Sequence, residues 1–128
     1  PLPAGAGAGA TVDLATLRQR LQNAANRHLL ILRDAPGLQA FRVECAQLRH
    51  ELAGSARIET PADTVQALEL KNLIEVGELM ALAALARPES RGSHYREDHP
   101  DRDPAFEHNI LLDRHAQGGF FRARLGDL

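Results

Sequence analysis

Six side chains with metal-binding or acid–base chemistry crowd into one short stretch of this 128-residue chain: His94, Asp98, His99, Asp101, Asp103 and His108. Histidines and carboxylates at close range are what a divalent metal would use. The His94-x4-His99 spacing with acids between matches no structural zinc pattern, because such sites pair Cys or His at tighter separation. A salt-bridged loop is the better reading of these charges. A hydrolytic centre is the second possibility, with His94 as base, Asp98 as its orienting acid and Ser90 or Ser93 as nucleophile. It fails on context, since neither serine sits in a strand-turn-helix elbow and no oxyanion hole is evident. The sole cysteine, Cys45, falls in an apolar seam without a neighbouring His or basic pair to stabilise a thiolate, so it reads as a small buried hydrophobe. His28 lies close to an apolar stripe and reads as a core-edge residue reaching toward water. No self-contained active site emerges.

The segment from Arg87 to Asp103 holds four Arg, two Glu, three Asp, two His and one Tyr, with opposite charges interleaved. A solvated connector is the plain interpretation. The segment is nonetheless long for a link inside a compact domain and lacks the Ser/Gly/Lys character of a flexible tether, and long loops of this kind often carry function. Arg91-Gly92 suits a tight turn that presents Ser93, His94 and Tyr95 to a surface.

Three helices must position this loop. The first is expected over about residues 11–32, where Leu14, Leu17, Leu21, Ala24 or Ala25, His28 and Ile31 or Leu32 recur at three- and four-residue spacing. Asp34-Ala35-Pro36-Gly37 breaks it and can cap the next. The second is expected over about residues 35–53, with Leu38, Phe41, Cys45, Leu48 and Leu52 as the seam of an antiparallel pair. Gly54-Ser55 ends it. The third, over about residues 60–87, opens with Thr60 as cap, Pro61 at the first helical position and Asp63 in the first turn. Apolar residues from Val65 to Leu85 occupy nearly every side of it, which predicts a central helix packed on several faces. Pro88 stops it, and the charged loop fills residues 88–104. Two partly alternating runs around Gly118-Gly119 then predict a β-hairpin over about residues 106–125, which must pack on the bundle or on another domain. The expected fold class is mainly α: an up-down-up three-helix bundle, spectrin-repeat-like, followed by the charged loop and the short β-hairpin.

Composition agrees with this. A chain of 128 residues suits one domain with a modest core. Its apolar residues are mostly Leu and Ala, with no Trp, one Tyr and four Phe, which favours close-packed helices over a β-sandwich. A net charge of −2 gives no electrostatic reason to expect nucleic acid or an anionic membrane as partner. One cysteine excludes an intrachain disulfide and points to a reducing, cytoplasmic setting. No apolar run is long enough to span a bilayer, and no basic-then-apolar leader pattern opens the sequence. Residues 1–10, Pro-Leu-Pro and then alternating Ala and Gly, read as a linker ahead of a helical domain over residues 11–128. Such an opening suggests a segment cut from a longer polypeptide.

The block 66–103 carries a family resemblance. Gln66-Ala67-Leu68-Glu69-Leu70-Lys71-Asn72-Leu73 is followed by the run Ala84-Leu85-Ala86-Arg87-Pro88-Glu89-Ser90-Arg91-Gly92-Ser93-His94-Tyr95-Arg96-Glu97-Asp98-His99-Pro100-Asp101-Arg102-Asp103. In this order they closely resemble the C-terminal domain of succinate dehydrogenase and fumarate reductase flavoprotein subunits, over roughly residues 11–125. The resemblance implies a three-helix bundle with a charged loop and strands after it. It also implies a parent FAD-dependent oxidoreductase of electron transport, which interconverts succinate and fumarate and is membrane-associated through partner subunits. The family's FAD-binding domain, capping domain and substrate-binding His and Arg residues lie upstream, and none of them matches a position in residues 1–128. The chain also lacks a glycine-rich dinucleotide fingerprint, so by itself it is expected to hold no cofactor or metal and to catalyse nothing.

A docking role is what remains. Arg91, His94, Arg96 and Asp98 are expected to make charge-assisted contacts with the FAD-binding domain of the same polypeptide, with an iron-sulfur subunit as a further partner. The plainer role is internal, the loop closing the bundle through its own salt bridges. Two other identities compete. The C-terminal domain of L-aspartate oxidase has a segment like Glu89-Ser90-Arg91-Gly92 but tends to lack the run that stands here as Arg96-Glu97-Asp98. A stand-alone helical protein-interaction module would show one apolar surface patch. Adenylylsulfate reductase is a remoter relative.

Overall fold

Helix α1 spans Leu14–His28, α2 Ala35–Gly54 and α3 Pro61–Leu85, in a computed structural model that describes residues 11–114 and 121–126. Each helix packs on the other two. The expected linker at residues 1–10 and the Gly118-Gly119 turn lie outside the described residues.

The core is the apolar seam continued across three helices. Leu17 and Leu21 of α1 meet Leu38, Phe41, Cys45 and Leu48 of α2 and Leu70, Ile74, Ala81 and Ala84 of α3. Each large side chain buried here stabilises the fold by about 1.5–3 kcal/mol. Phe41 reaches the backbone of α3 because position 77 is glycine. A Cβ on Gly77 would lie 2.9 Å from the Phe41 ring. Helix propensity at that position yields to packing.

Local signals set the helix starts. Asp34 accepts a hydrogen bond from Gly37 N at 2.7 Å to begin α2. Thr60 and Asp63 form a reciprocal capping box on α3: Asp63 N donates to Thr60 Oγ1 at 3.1 Å, and Thr60 N donates to Asp63 Oδ2 at 2.8 Å. The Glu59 N–H, which donates to Asp63 Oδ2 at 3.0 Å, holds the Asp63 carboxyl below its usual range, with help from Thr60.

The expected span of 11–32 for the first helix is too long at both ends. Val12 bridges in parallel to Ala56, with Val12 N donating to Ser55 O at 2.7 Å, so the chain enters α1 extended. At the other end, β1 (Leu32–Arg33) leaves the helix to pair in parallel with β2 (Tyr95–Arg96). Periodicity carried through Ile31 and Leu32, but a sheet partner more than sixty residues away claims them. The stretch expected as a plain loop therefore contains a strand.

Helix α3 also differs from expectation. It buries one face, through Ala67, Leu70, Ile74, Gly77, Ala81 and Ala84. Val65, Leu68, Leu73, Val76 and Met80 are exposed. Beside Leu70 and Ile74 the inward face is built of small residues, while five large apolar side chains face outward, a division that residue type alone could not reveal.

The hairpin is present. Strand β3 (Asn109–Arg114) runs antiparallel to β4 (Phe121–Gly126), with Asn109 opposite Gly126 and Arg114 opposite Phe121. It packs on α3 and is tied there by Arg114 Nη2 to Glu75 Oε1 at 2.7 Å.

Candidate functional site

The charged segment folds back over the end of the bundle as a collar built on two ion groups, each centred on one buried charge, Arg96 in the first and Glu89 in the second. The first joins helix ends. Arg96, 2% exposed, grips Asp98 through both carboxylate oxygens, each at 2.7 Å. The same guanidinium donates to Ala84 O at 2.9 Å and Leu85 O at 3.4 Å, the free carbonyls at the end of α3. Asp98 in turn accepts from Ala35 N, the first residue of α2, at 3.0 Å. A cation thus sits at a helix C-terminus and an anion at a helix N-terminus, each where the dipole favours it. The Arg96 guanidinium holds the Asp98 carboxyl far below the usual carboxylate range, against the opposing effect of burial.

The second group centres on Glu89, which is fully buried. Its Oε1 accepts from Arg91 Nε at 2.9 Å and Arg87 Nη1 at 2.7 Å, and its Oε2 from Asp103 N at 2.7 Å. These donors, Arg91 foremost, hold its carboxyl down at about 2 despite desolvation. Arg87 goes on to Phe106 O and His108 O, linking the collar to the 3-10 turn at Pro104–Phe106 and the start of the hairpin. Ser90 knits the loop together, accepting from Arg96 N at 2.9 Å and donating to His99 O at 2.8 Å.

His94 is locked in one tautomer by its surroundings. Arg33 Nη1 donates to Nδ1 at 2.9 Å, which requires that nitrogen to be the acceptor, so Nε2–H donates to Arg87 O at 3.1 Å. Burial pushes its pKa down, helped by the nearby Arg33, Arg96 and Arg87 cations. The imidazole is neutral and committed on both sides.

The four residues expected to dock are therefore all in the collar: Arg91 on Glu89, Arg96 on Asp98, and His94 between Arg33 and Arg87. The Arg91-Gly92 turn forms as expected, with Gly92 at φ 59° and the chain closed by Arg91 N to His94 O at 2.8 Å. It presents Ser93 and Tyr95 outward, but His94 turns inward. The hydrolytic grouping is not assembled, since Ser90, His94 and Asp98 each bond elsewhere. Cys45 lies buried in the seam, where desolvation pushes its thiol up to about 12. His28 is half-buried beside Gly37.

Sequence reasoning missed Glu89, Arg33 and Arg87 as organising residues. Glu89 carried a faint signal, flanked by arginines two residues away on each side. Arg33 carried none, because its role depends on a strand pairing with distant Arg96. Arg33, Arg87 and His94 line an open recess of about 330 Å³ with Met80, Ala84 and Ile110.

By its fold the chain is a three-helix bundle closed by a collar of ion pairs and followed by a β-hairpin. The family model described as fumarate reductase flavoprotein C-term matches residues 18–119. A fumarate reductase (CoM/CoB) subunit of Methanothermobacter marburgensis is 34% identical over 109 residues, covering 83% of this chain and 20% of that protein. L-aspartate oxidase of Rhodospirillum rubrum is 34% identical over 89 residues, covering 70% of this chain and 27% of the relative. A solved quinol-fumarate reductase with menaquinol molecules superposes with a TM-score of 0.81 at 28% identity, covering 93% of this chain and 22% of that one. The chain belongs to the family of C-terminal domains of succinate dehydrogenase and fumarate reductase flavoproteins. It spans only about a fifth to a quarter of the length of the Methanothermobacter and Rhodospirillum relatives.

Proposed function

We propose that this chain is the non-catalytic helical domain of an FAD-dependent oxidoreductase interconverting succinate and fumarate. Its collar holds the domain in the shape that docks on the FAD-binding domain of the same polypeptide. The observation that carries this reading is the family match over residues 18–119 together with a helical fold and a collar in which Ser90, His94 and Asp98 are all engaged structurally.

That this chain holds no FAD of its own is part of the proposal, supported by two of its three helix starts. A pyrophosphate would need free backbone donors at a helix start, and the starts of α2 and α3 already carry the carboxylates of Asp34, Asp98 and Asp63. Flavin and chemistry belong to the rest of the parent protein. In that setting Arg91, His94, Arg96 and Asp98 act at the domain boundary by fixing the collar surface, and an iron-sulfur subunit is the natural electron partner. No helix among the described residues is long and apolar enough to cross a membrane.

The test is made on both forms. Purified full-length protein should be yellow and reduce fumarate or oxidise succinate, while the 128-residue chain should be colourless and inactive. Arg91→Ala and Arg96→Ala in the full-length protein should lower flavin content and assembly. Unchanged flavin content, assembly and turnover in both variants would rule out the collar's part in docking.

The second reading is the C-terminal domain of an L-aspartate oxidase, supported by the identity to the Rhodospirillum rubrum protein, as high as that to the fumarate reductase subunit. Aspartate oxidation by the full-length protein, without fumarate reduction, would favour it.

A further inference from the structure

Two features of the described residues point outward at the same place. Along α3, Leu73, Val76 and Met80 follow each other at helical spacing and stay 45%, 52% and 48% exposed. A row of large apolar side chains on one helix face marks a surface that another body covers. At its end, Met80 lines the same recess as Arg33 and His94. Leu32, beside Arg33 and paired with Tyr95, is 61% exposed and extends the apolar rim.

Arg33 differs from the three arginines that build the ion groups of the collar. Arg87, Arg91 and Arg96 each meet a carboxylate. Arg33 spends its Nε on Leu29 O and Leu30 O and its Nη1 on His94, with no carboxylate beside it among the described residues. Burial lowers its pKa, uncompensated by any acid. A half-desolvated guanidinium in an apolar rim is matched best by a carboxylate arriving with the covering surface.

We propose that the Leu73–Val76–Met80 stripe and the Arg33 recess form one seat for the flavin-bearing body of the same polypeptide, which brings an apolar surface and one Asp or Glu to Arg33. This rests on the reading under Proposed function and adds to it the face and the recognition chemistry. The chain covers only 20% of the Methanothermobacter marburgensis relative, so most of such a polypeptide is available to supply that surface. A second copy of the chain fits less well, since a symmetric pairing through this face would bring two Arg33 recesses together without an acid.

The experiment uses full-length protein carrying a photoreactive benzophenone side chain at position 76 or, as control, at Val43, which is exposed on α2. Irradiation at position 76 should cross-link to a peptide upstream of residue 1 in the same chain, and position 43 should not. Arg33→Glu should speed proteolytic release of the helical domain about tenfold. Reversing the acid nearest the cross-linked peptide to Arg should restore the slow rate. Val76→Asp, an exposed change the fold tolerates, should also speed release. Cross-links from position 76 to a second copy, or to nothing, in a protein that holds flavin would overturn the seat alone. A full-length protein without flavin would overturn the functional reading as well.

Discussion

The seam between α2 and α3 and the centre of the collar at its end, Glu89 and Arg96, are both buried, for opposite physical reasons. The seam excludes water with Leu, Phe, Ile and Ala, and any side chain of similar shape would serve nearly as well. The collar buries charge, so each member needs a particular partner. Glu89 is stable in the interior only because two guanidiniums and a backbone N–H meet it. A core degrades gradually as atoms are removed, whereas a buried ion group fails when one member is lost. The difference also separates their tasks: the seam makes the bundle, and the collar fixes where its helix ends and hairpin stand.

The contrast can be broken most severely in the seam. Phe41→Ala removes the ring that contacts both Ile74's helix and Gly77, and should cost about 4 kcal/mol by denaturant unfolding. Glu89→Ala should cost about 3 kcal/mol, because Arg87 and Arg91 are left without their shared acid. If Glu89→Ala lost well under about 1 kcal/mol, the collar would be a solvated network, and the contrast with the seam would vanish.

Acid should separate the two regions without mutation. Glu89 and Asp98 have carboxyl pKa values lowered by folding, so the unfolded chain binds protons first. Their stabilisation is complete above the ordinary carboxylate range and is lost as pH falls from there, through about 2 for Glu89 and lower still for Asp98. His94 adds a second window. Its pKa is lowered in the folded chain, so stability should already decline as pH drops below the usual imidazole range. Unfolding measured against pH should show both steps, and His94→Gln should remove only the upper one.

Smaller changes sharpen the comparison. Gly77→Ala gains about 1 kcal/mol of helix propensity but crowds Phe41, for a net loss of about 1 kcal/mol in denaturant midpoint analysis. Arg18→Ala breaks an exposed pair with Glu69 at 3.1 Å and should change stability by no more than about 0.5 kcal/mol. Together these order the effects by burial rather than by the number of ion pairs broken.

Some of this was legible residue by residue. Thr60, Pro61 and Asp63 announced the start of α3, and Leu38, Phe41, Cys45 and Leu48 announced the seam, because capping and helical period are local properties. The block from Glu89 to Asp98 announced the family. The end of α1 was misread because Leu32 and Arg33 obey a strand pairing that no local pattern encodes. The outward side of α3 was misread because Leu73, Val76 and Met80 are apolar enough for a core and stand outside it.

The sequence by itself determined three helices, the seam, the hairpin and the family, since each rests on spacing within a few turns or on an ordered motif. Only the tertiary structure decided that Glu89 would be the buried hub, that Arg96 and Asp98 would join two helix ends, and that Arg33 would stand without an acid among the described residues. Those outcomes depend on groups brought together across as many as sixty-three residues of chain, and on which of them water can no longer reach.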